Sequence, residues 1–277
     1  LKNRDQKKPF LLCAQYKVPH IHRLPPINRM KGYDDIEFPV PDTFFDDFST
    51  RSSFVSDTWM ALKGMKGHVL NIAPTEEEID KNPKICPPFL SEMNLKQRKA
   101  WHSAYDTRNL RYRKLIQEEK LQGKTKSLYI YQRFIKDYVR CVDGLDDQSG
   151  RILNFLDDQN LTENTLVIYS SDQGFFTGEH GWAEKRWMYE ESFKSPLLMR
   201  WPKMVKPGTR ITQLVQNIDL APTFMKAAGL IPPETVQQTR ASSPYAARAL
   251  DVFTTLQARF ADGINSLSER YADGTAL

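Results

Sequence analysis

Apolar and polar stretches alternate along the chain in ways that separate strands from helices. Leu166, Val167, Ile168 and Tyr169 form an apolar run bounded by Asn164 and by Ser171-Asp172. A β-branched and aromatic run of that length predicts a buried strand. Pro196-Leu197-Leu198-Met199 predicts a second one. Residues 9–17 predict a third, which should stop at Val18-Pro19 because the residue before a proline is held extended. Residues 211–218 predict a short fourth. Helical spacing is clearest over residues 128–160. There Phe134, Tyr138, Val142, Leu145, Ile152 and Leu156 recur at three, four and seven residues, which marks one buried face. Residues 94–122 are rich in Lys, Arg, Gln and Glu, with Trp101, Tyr105, Leu110, Tyr112 and Leu115 between them, and read as a solvated helix or helix pair.

Shorter signals fill the joins. Thr75 before Glu76-Glu77-Glu78 predicts an N-capped helix start, with acidic side chains at the positive end of the dipole. Residues 53–65 predict a short helix and residues 67–74 a turn-rich join. Pro39 and Pro41 forbid a long helix between residues 31 and 51. The pairs Asp34-Asp35 and Asp46-Asp47 in that stretch follow no apolar strand, so they read as loop and helix-start charges. Asp219 predicts the cap of a helix that carries Pro222 in its first turn and stops at Gly229. Helix-like spacing at Leu250, Phe253, Leu256 and Phe260 predicts a helical tail over residues 234–277, to which no function attaches.

A helix followed by a four-residue turn and a strand is an α–β unit of ordinary loop length. In open α/β sheets, ligands bind at the carboxyl ends of strands. Asp172 and Gln173 sit there after the strand at 166–169, and their side-chain oxygens suit a hard cation such as Ca²⁺ or Mg²⁺. Gly174 and Gly178 allow tight turns beside them. Glu179, His180, Trp182, Lys185 and Arg186 then crowd one loop between two strands, the usual look of a catalytic loop on a rigid scaffold. His20 follows the strand at 9–17 and occupies a similar strand-end position, with His22 in the same loop.

Composition narrows the field only a little. Of 277 residues, 40% are hydrophobic and 26% charged, ordinary for a globular protein with one substantial core. A net charge of +5 permits an acidic substrate without demanding one. The basic, aromatic-bearing stretch at 94–140 is interrupted by acidic residues and lacks any nucleic-acid motif, so no nucleic-acid partner is expected. No apolar run reaches the length of a membrane span. Cys13, Cys86 and Cys141 lie too far apart for a metal motif or a disulfide framework. The chain opens at Leu1 without a signal peptide's apolar core, which suggests a fragment or a processed product.

Taken in order, the segments Ser-Asp-Gln-Gly, Gly-Glu-His-Gly-Trp, Lys-Arg, Tyr-Glu-Glu-Ser, Pro-Leu-Leu and Arg-Trp-Pro between Ser171 and Pro202 resemble the second half of the sulfatase family. That family lies within the alkaline-phosphatase-like superfamily. The similarity is strongest to bacterial enzymes of the N-acetylglucosamine-6-sulfatase and iduronate-2-sulfatase type. It covers about residues 8 to 231, and Asn217-Ile218-Asp219-Leu220-Ala221-Pro222-Thr223 extends it. The resemblance implies an α/β fold with a central, largely parallel or mixed sheet and helices on both faces, truncated at its N-terminus. Residues 1–233 would then be the C-terminal portion of a catalytic domain. It implies a sulfated carbohydrate as substrate and a periplasmic, secreted or lysosomal location; oligomeric state stays open.

Residue by residue, the resemblance implies that Asp172 and Gln173 ligate Ca²⁺. Lys185, thirteen residues past Asp172, would neutralise the sulfate and the leaving oxygen. His20 would hydrogen-bond the sulfate or help protonate the leaving alcohol. His180, Trp182 and Arg186 would bind the sugar. Two family features are missing. The formylglycine nucleophile arises from Cys/Ser-x-Pro-x-Arg, and Cys86-Pro87-Pro88-Phe89-Leu90 and Ser242-Ser243-Pro244-Tyr245-Ala246 both lack the arginine. The family's metal-binding aspartate pair after a first strand is absent as well. Two alternatives remain: a metal-dependent phosphoesterase of the same superfamily, and a non-catalytic polyanion-binding protein using residues 94–140.

Overall fold

Asn94 starts the first long helix by a reciprocal cap. Its side chain accepts from the Gln97 N–H at 2.9 Å, and the Gln97 side chain accepts from the Asn94 N–H at 3.0 Å. The computed structural model describes residues 1–118 and 120–233. Its helices are α1 (Ser53–Ser56), α2 (Glu76–Lys81), α3 (Pro88–Ser91), α4 (Leu95–Tyr112), α5 (Gly123–Asp158), α6 (Glu190–Phe193) and α7 (Leu220–Ala227). Its strands are β1 (Val167–Ser170), β2 (Phe176–Thr177), β3 (Ala183–Glu184) and β4 (Leu197–Arg200). The expected helical tail at 234–277 lies outside the described residues. The chain divides into two compact units.

The larger unit comprises residues 14–152 and 173–195. Its main core gathers Phe44, Leu62, Met65, Leu70, Ile130, Tyr131, Phe134 and Ile135 around α5. A second cluster stacks Trp101 on Tyr105, with ring centroids 4.9 Å apart, against Ile79, Phe89 and Leu90. The solvated helix expected over 94–122 is thus corrected: α4 buries Trp101, Tyr105, Asn109 and Tyr112, and a π-helical turn follows at Arg113–Gln117. The face predicted for α5 holds at Phe134 and Leu156, which are buried, and shifts between them. Val142 is exposed, and the buried stripe runs through Ile130, Phe134, Asp137 and Cys141. An apolar-only search misses it because the stripe includes an acidic residue whose polar atoms its neighbours satisfy.

Thr75 caps α2 as the sequence predicts, accepting from the Glu78 N–H at 3.3 Å, while Glu78 accepts from the Thr75 N–H at 2.8 Å. Arg113 donates to both Glu78 oxygens, at 2.8 and 2.9 Å. That guanidinium, followed by the Thr75 N–H, lowers the Glu78 carboxyl from its ordinary 4.5 to about 2. A folded-state value below the unfolded one stabilises the fold above about pH 4.5, and the benefit is lost as pH falls toward 2. Glu78→Gln should therefore lower the urea midpoint at pH 7 and leave it near wild type at pH 2. Solvent screening of this half-exposed pair keeps the effect modest. Equal midpoints at pH 7 would show that the pair contributes nothing.

The smaller unit comprises residues 1–13, 153–172 and, among the described residues, 196–233. In it β1 pairs antiparallel with β4, from Val167 opposite Arg200 to Ser170 opposite Leu197. Both strands occur within a residue of their predicted positions. Neither is buried as expected, because a two-stranded ribbon has no layer to cover its faces; Leu198 is 66% exposed. The strand expected at 9–17 joins no ladder, and Leu11 and Leu12 are exposed. Residues 211–218 likewise form no strand. An apolar run becomes a strand only when a neighbour accepts its N–H groups. The described ladders are two antiparallel pairs, so the α/β class stands and a central parallel or mixed sheet is not among them. α7 ends where Gly229 takes φ +74° and the Leu230 N–H reaches back to the Met225 carbonyl at 2.8 Å.

The cysteines are all free. Burial pushes the Cys141 thiol up to about 12. Cys13, by contrast, is exposed. A thiol reagent at pH 8 should label Cys13 in the native protein and Cys141 only after unfolding, read by peptide mass spectrometry. Native labelling of Cys141 would mean that α5 opens locally.

Candidate active site

The charged loop that follows Gln173 is folded tightly by its glycines. A Cβ on Gly174 would lie 2.1 Å from the Glu191 carbonyl oxygen, so only glycine lets the chain pass there. Gly178 takes φ +125° and donates its N–H to the Trp182 carbonyl at 3.0 Å. This closes β2 against β3, with Phe176 opposite Glu184 and Thr177 opposite Ala183. The Ala183 N–H then donates to the Met60 carbonyl at 3.0 Å, and Ala61 bridges Trp182. The loop is therefore pinned on both edges.

The aromatic side chains of this loop pack inward. Trp182 is 1% exposed and stacks on Phe48 at 5.2 Å. Placed there, its ring supports the loop and offers no open face to a ligand. His180, in left-handed conformation at φ 56°, is buried beside Phe48, Phe176, Trp182 and Tyr189. Its Nδ1 lies 2.7 Å from Asp46 Oδ2. Asp46 also accepts from the Arg51 guanidinium, which, with the Phe48 N–H and His180, holds the Asp46 carboxyl well below the usual carboxylate range. Of the pair read from sequence as loop charges, Asp46 is thus a buried histidine's partner, while Asp47 accepts from the Ser49 N–H.

The cations of the loop differ in setting. Arg186 is exposed, with its guanidinium 5.9 Å from the Trp59 ring centroid. Lys185 is mostly enclosed, its side chain 9% exposed. Its Nζ lies 3.8 Å from Glu184 Oε2 and 5.6 Å from the centroid of Phe175. Glu184 and Arg23, which sequence reasoning did not single out, complete this cluster. Arg23 Nη2 lies 4.0 Å from Glu184 Oε1, and its Nη1 donates to the Val69 carbonyl at 3.1 Å. Burial pushes the Arg23 guanidinium pKa down, against the pull of Glu184 and Asp137. The only sequence signal was position: Arg23 is three residues past His20, and Glu184 is next to Lys185.

His20 is exposed, its Nδ1 2.9 Å from the Ile21 carbonyl oxygen. Through Arg23, the short segment after it lies alongside β3. His22 is turned elsewhere, stacked on Phe89 at 4.5 Å with Nδ1 3.1 Å from the His68 carbonyl oxygen, and burial lowers its pKa. Gln173 is half-buried in the same unit. Asp172 belongs to the smaller unit, exposed at the end of β1. Ser171 Oγ lies 3.2 Å from its Oδ1, and its main-chain carbonyl accepts from Asn217 Nδ2 at 2.9 Å. Among the described residues no group of three His, Cys, Asp or Glu is placed to hold a metal. Nor is the basic stretch at 94–140 a bare cationic face. Arg113 pairs with Glu78, Arg108 and Arg140 with Asp34, and Arg140 and Arg133 with Asp137.

Residues 178–248 match the family model described as N-sulphoglucosamine sulphohydrolase, C-terminal. Over 239 residues, 86% of this chain, the sequence is 34% identical to the N-acetylglucosamine-6-O-sulfatase of Bacteroides thetaiotaomicron, of which it covers 42%. The chain is thus similar to members of the sulfatase family. The goat (Capra hircus) N-acetylglucosamine-6-sulfatase is 32% identical over 116 residues, 42% of this chain and 21% of that protein. A solved structure of a protein in complex with its substrate D-glucosamine-2-N,6-O-disulfate matches with a TM-score of 0.78 and 34% identity. The match covers 85% of this chain and 47% of that one. The chain therefore spans less than half the length of these relatives.

Proposed function

We propose that this chain contributes to a calcium-dependent sulfuric ester hydrolase that removes sulfate from a sulfated amino sugar. What carries the proposal is the 34% identity to an N-acetylglucosamine-6-O-sulfatase, sustained over 86% of the chain. The fold match to a protein solved with a glucosamine disulfate supports the same substrate class. In this reading Lys185 binds the sulfate and the leaving oxygen, and His20 serves the sulfate or the leaving alcohol. Arg186, the exposed cation of the loop, faces the substrate. His180 and Trp182, assigned to the sugar by resemblance, shape the loop from inside.

Asp172 and Gln173 fit Ca²⁺ in kind, since both offer hard oxygen donors. In number they fall short, because calcium takes about six to eight oxygens. The remaining ligands, like the formylglycine nucleophile, must come from residues outside this sequence. When bound, the metal would draw charge from the sulfate oxygens. Positioning without a nucleophile gives no covalent route. The 277-residue chain should therefore bind Ca²⁺ weakly by calorimetry and turn over neither an aryl sulfate nor 6-sulfated glucosamine. The full-length gene product should do both. An inactive full-length product, or an active 277-residue chain, would overturn the proposal.

A further inference from the structure

We propose that Glu184 is a positioning residue for Lys185, tethering its ammonium to the anchored guanidinium of Arg23. The inference rests on the reading of Lys185 as the sulfate-binding cation. Each oxygen of the Glu184 carboxylate faces one cation, Oε1 toward Arg23 Nη2 at 4.0 Å and Oε2 toward Lys185 Nζ at 3.8 Å. All three side chains are enclosed, at 1%, 7% and 9% exposure for Arg23, Glu184 and Lys185. Phe175 lies against both cations, and Phe134 lies 4.7 Å from the Arg23 guanidinium. Charges in such surroundings interact strongly, and two cations held together there need an anion between them.

Arg23 is the fixed end of this chain of charges. Besides its bond to Val69, its main-chain carbonyl accepts from Asn71 Nδ2 at 2.6 Å. Asp137 also faces it. Glu184 is fixed through its backbone. It holds φ +90°, a left-handed value that a side chain other than glycine adopts only when its surroundings impose it. The imposing contacts are the β2 register and the Ala183 bond to Met60. Lysine has a flexible four-carbon stem, so its ammonium needs an external restraint to sit at one point. A separation of 3.8 Å is an ion-pair contact rather than a hydrogen bond. The three ammonium N–H groups thus remain to donate to an anion. A cation held in place beforehand needs no reorganisation when charge grows on the leaving oxygen.

The test uses the full-length gene product with Glu184→Gln and Glu184→Asp. Wild type must first hydrolyse an aryl sulfate, which checks the functional reading by itself. Glu184→Gln should lower kcat about a hundredfold, as a misplaced catalytic group does, with KM near wild type. Glu184→Asp, which keeps the charge, should recover part of the loss. Brief acylation with acetic anhydride, read by peptide mass spectrometry, should modify Lys185 several times faster in Glu184→Gln, with Lys63 unchanged. If Glu184→Gln does not fold, Glu184→Asp carries the same acylation comparison, since its shorter reach slackens the tether. Unchanged Lys185 acylation overturns the tether. Faster acylation with unchanged kcat upholds the tether and overturns the catalytic role of Lys185 instead.

Discussion

Lys185→Ala in the full-length gene product is expected to lower turnover of both an aryl sulfate and 6-sulfated glucosamine about a hundredfold to a thousandfold. KM should change far less. Charge accumulates on the leaving oxygen as the sulfur–oxygen bond breaks, so a cation placed there is worth more in the transition state than in the substrate complex. The setting of Lys185 strengthens this expectation. Its ammonium is enclosed beside Phe175 and Glu184, where electrostatic interactions exceed those in open water. The fold should tolerate the change, because Glu184 keeps Arg23 as its partner. Asp172→Ala, assayed alongside, should weaken both calcium binding and turnover, whereas Lys185→Ala should spare the metal. Near-normal kcat in Lys185→Ala, with intact calcium binding, would make the loop structural.

Local signals in this sequence were readable and long-range ones were not. The strands near 166–169 and 196–199, the Thr75 cap, the Asn94–Tyr112 region as helix and the stop at Gly229 all depend on residues within one turn or one short run. Residues 9–17 and 211–218 carry the same local signal, yet form no ladder, because strand pairing is decided by a partner that the run itself does not specify. Charge was the larger blind spot. Asp34 looks like a loop residue until Arg108 and Arg140 close on it from more than 70 positions away. Asp46 meets His180 in the same fashion, across 134 positions. Within the candidate site, the exposed and enclosed cations of one short loop could not be told apart by type. Only the packing of Arg23 and Phe175 distinguishes Lys185 from Arg186.

The same blindness makes Asp137 the most consequential structural residue of the larger unit. Asp137→Ala is expected to cost about 3–5 kcal/mol, the usual loss when one partner of a buried ion pair is removed. Asp137 is 2% exposed. Its Oδ1 accepts from the Tyr105 hydroxyl at 2.8 Å and from Arg140 Nη1 at 2.7 Å, and its Oδ2 accepts from Asn71 Nδ2 at 3.3 Å. Arg133 Nε lies 3.9 Å from the same oxygen. Burial raises the Tyr105 phenol well above its ordinary pKa, so it stays a donor at any workable pH. Alanine would leave Arg140, itself 1% exposed, without its buried counter-ion, and would strand two further donors. For a unit of this size the loss corresponds to a drop in Tm of roughly 6–20 °C. Asp146→Ala, on the exposed side of the same helix, should stay within about 0.5 kcal/mol of wild type. Asp137→Asn should fall between, since an amide keeps the shape and one acceptor but not the charge. Urea unfolding of the three variants tests the ordering. A cost below about 1 kcal/mol for Asp137→Ala would mean that water reaches α5 and solvates the arginines, and that the ion network is not what fixes the helix in place.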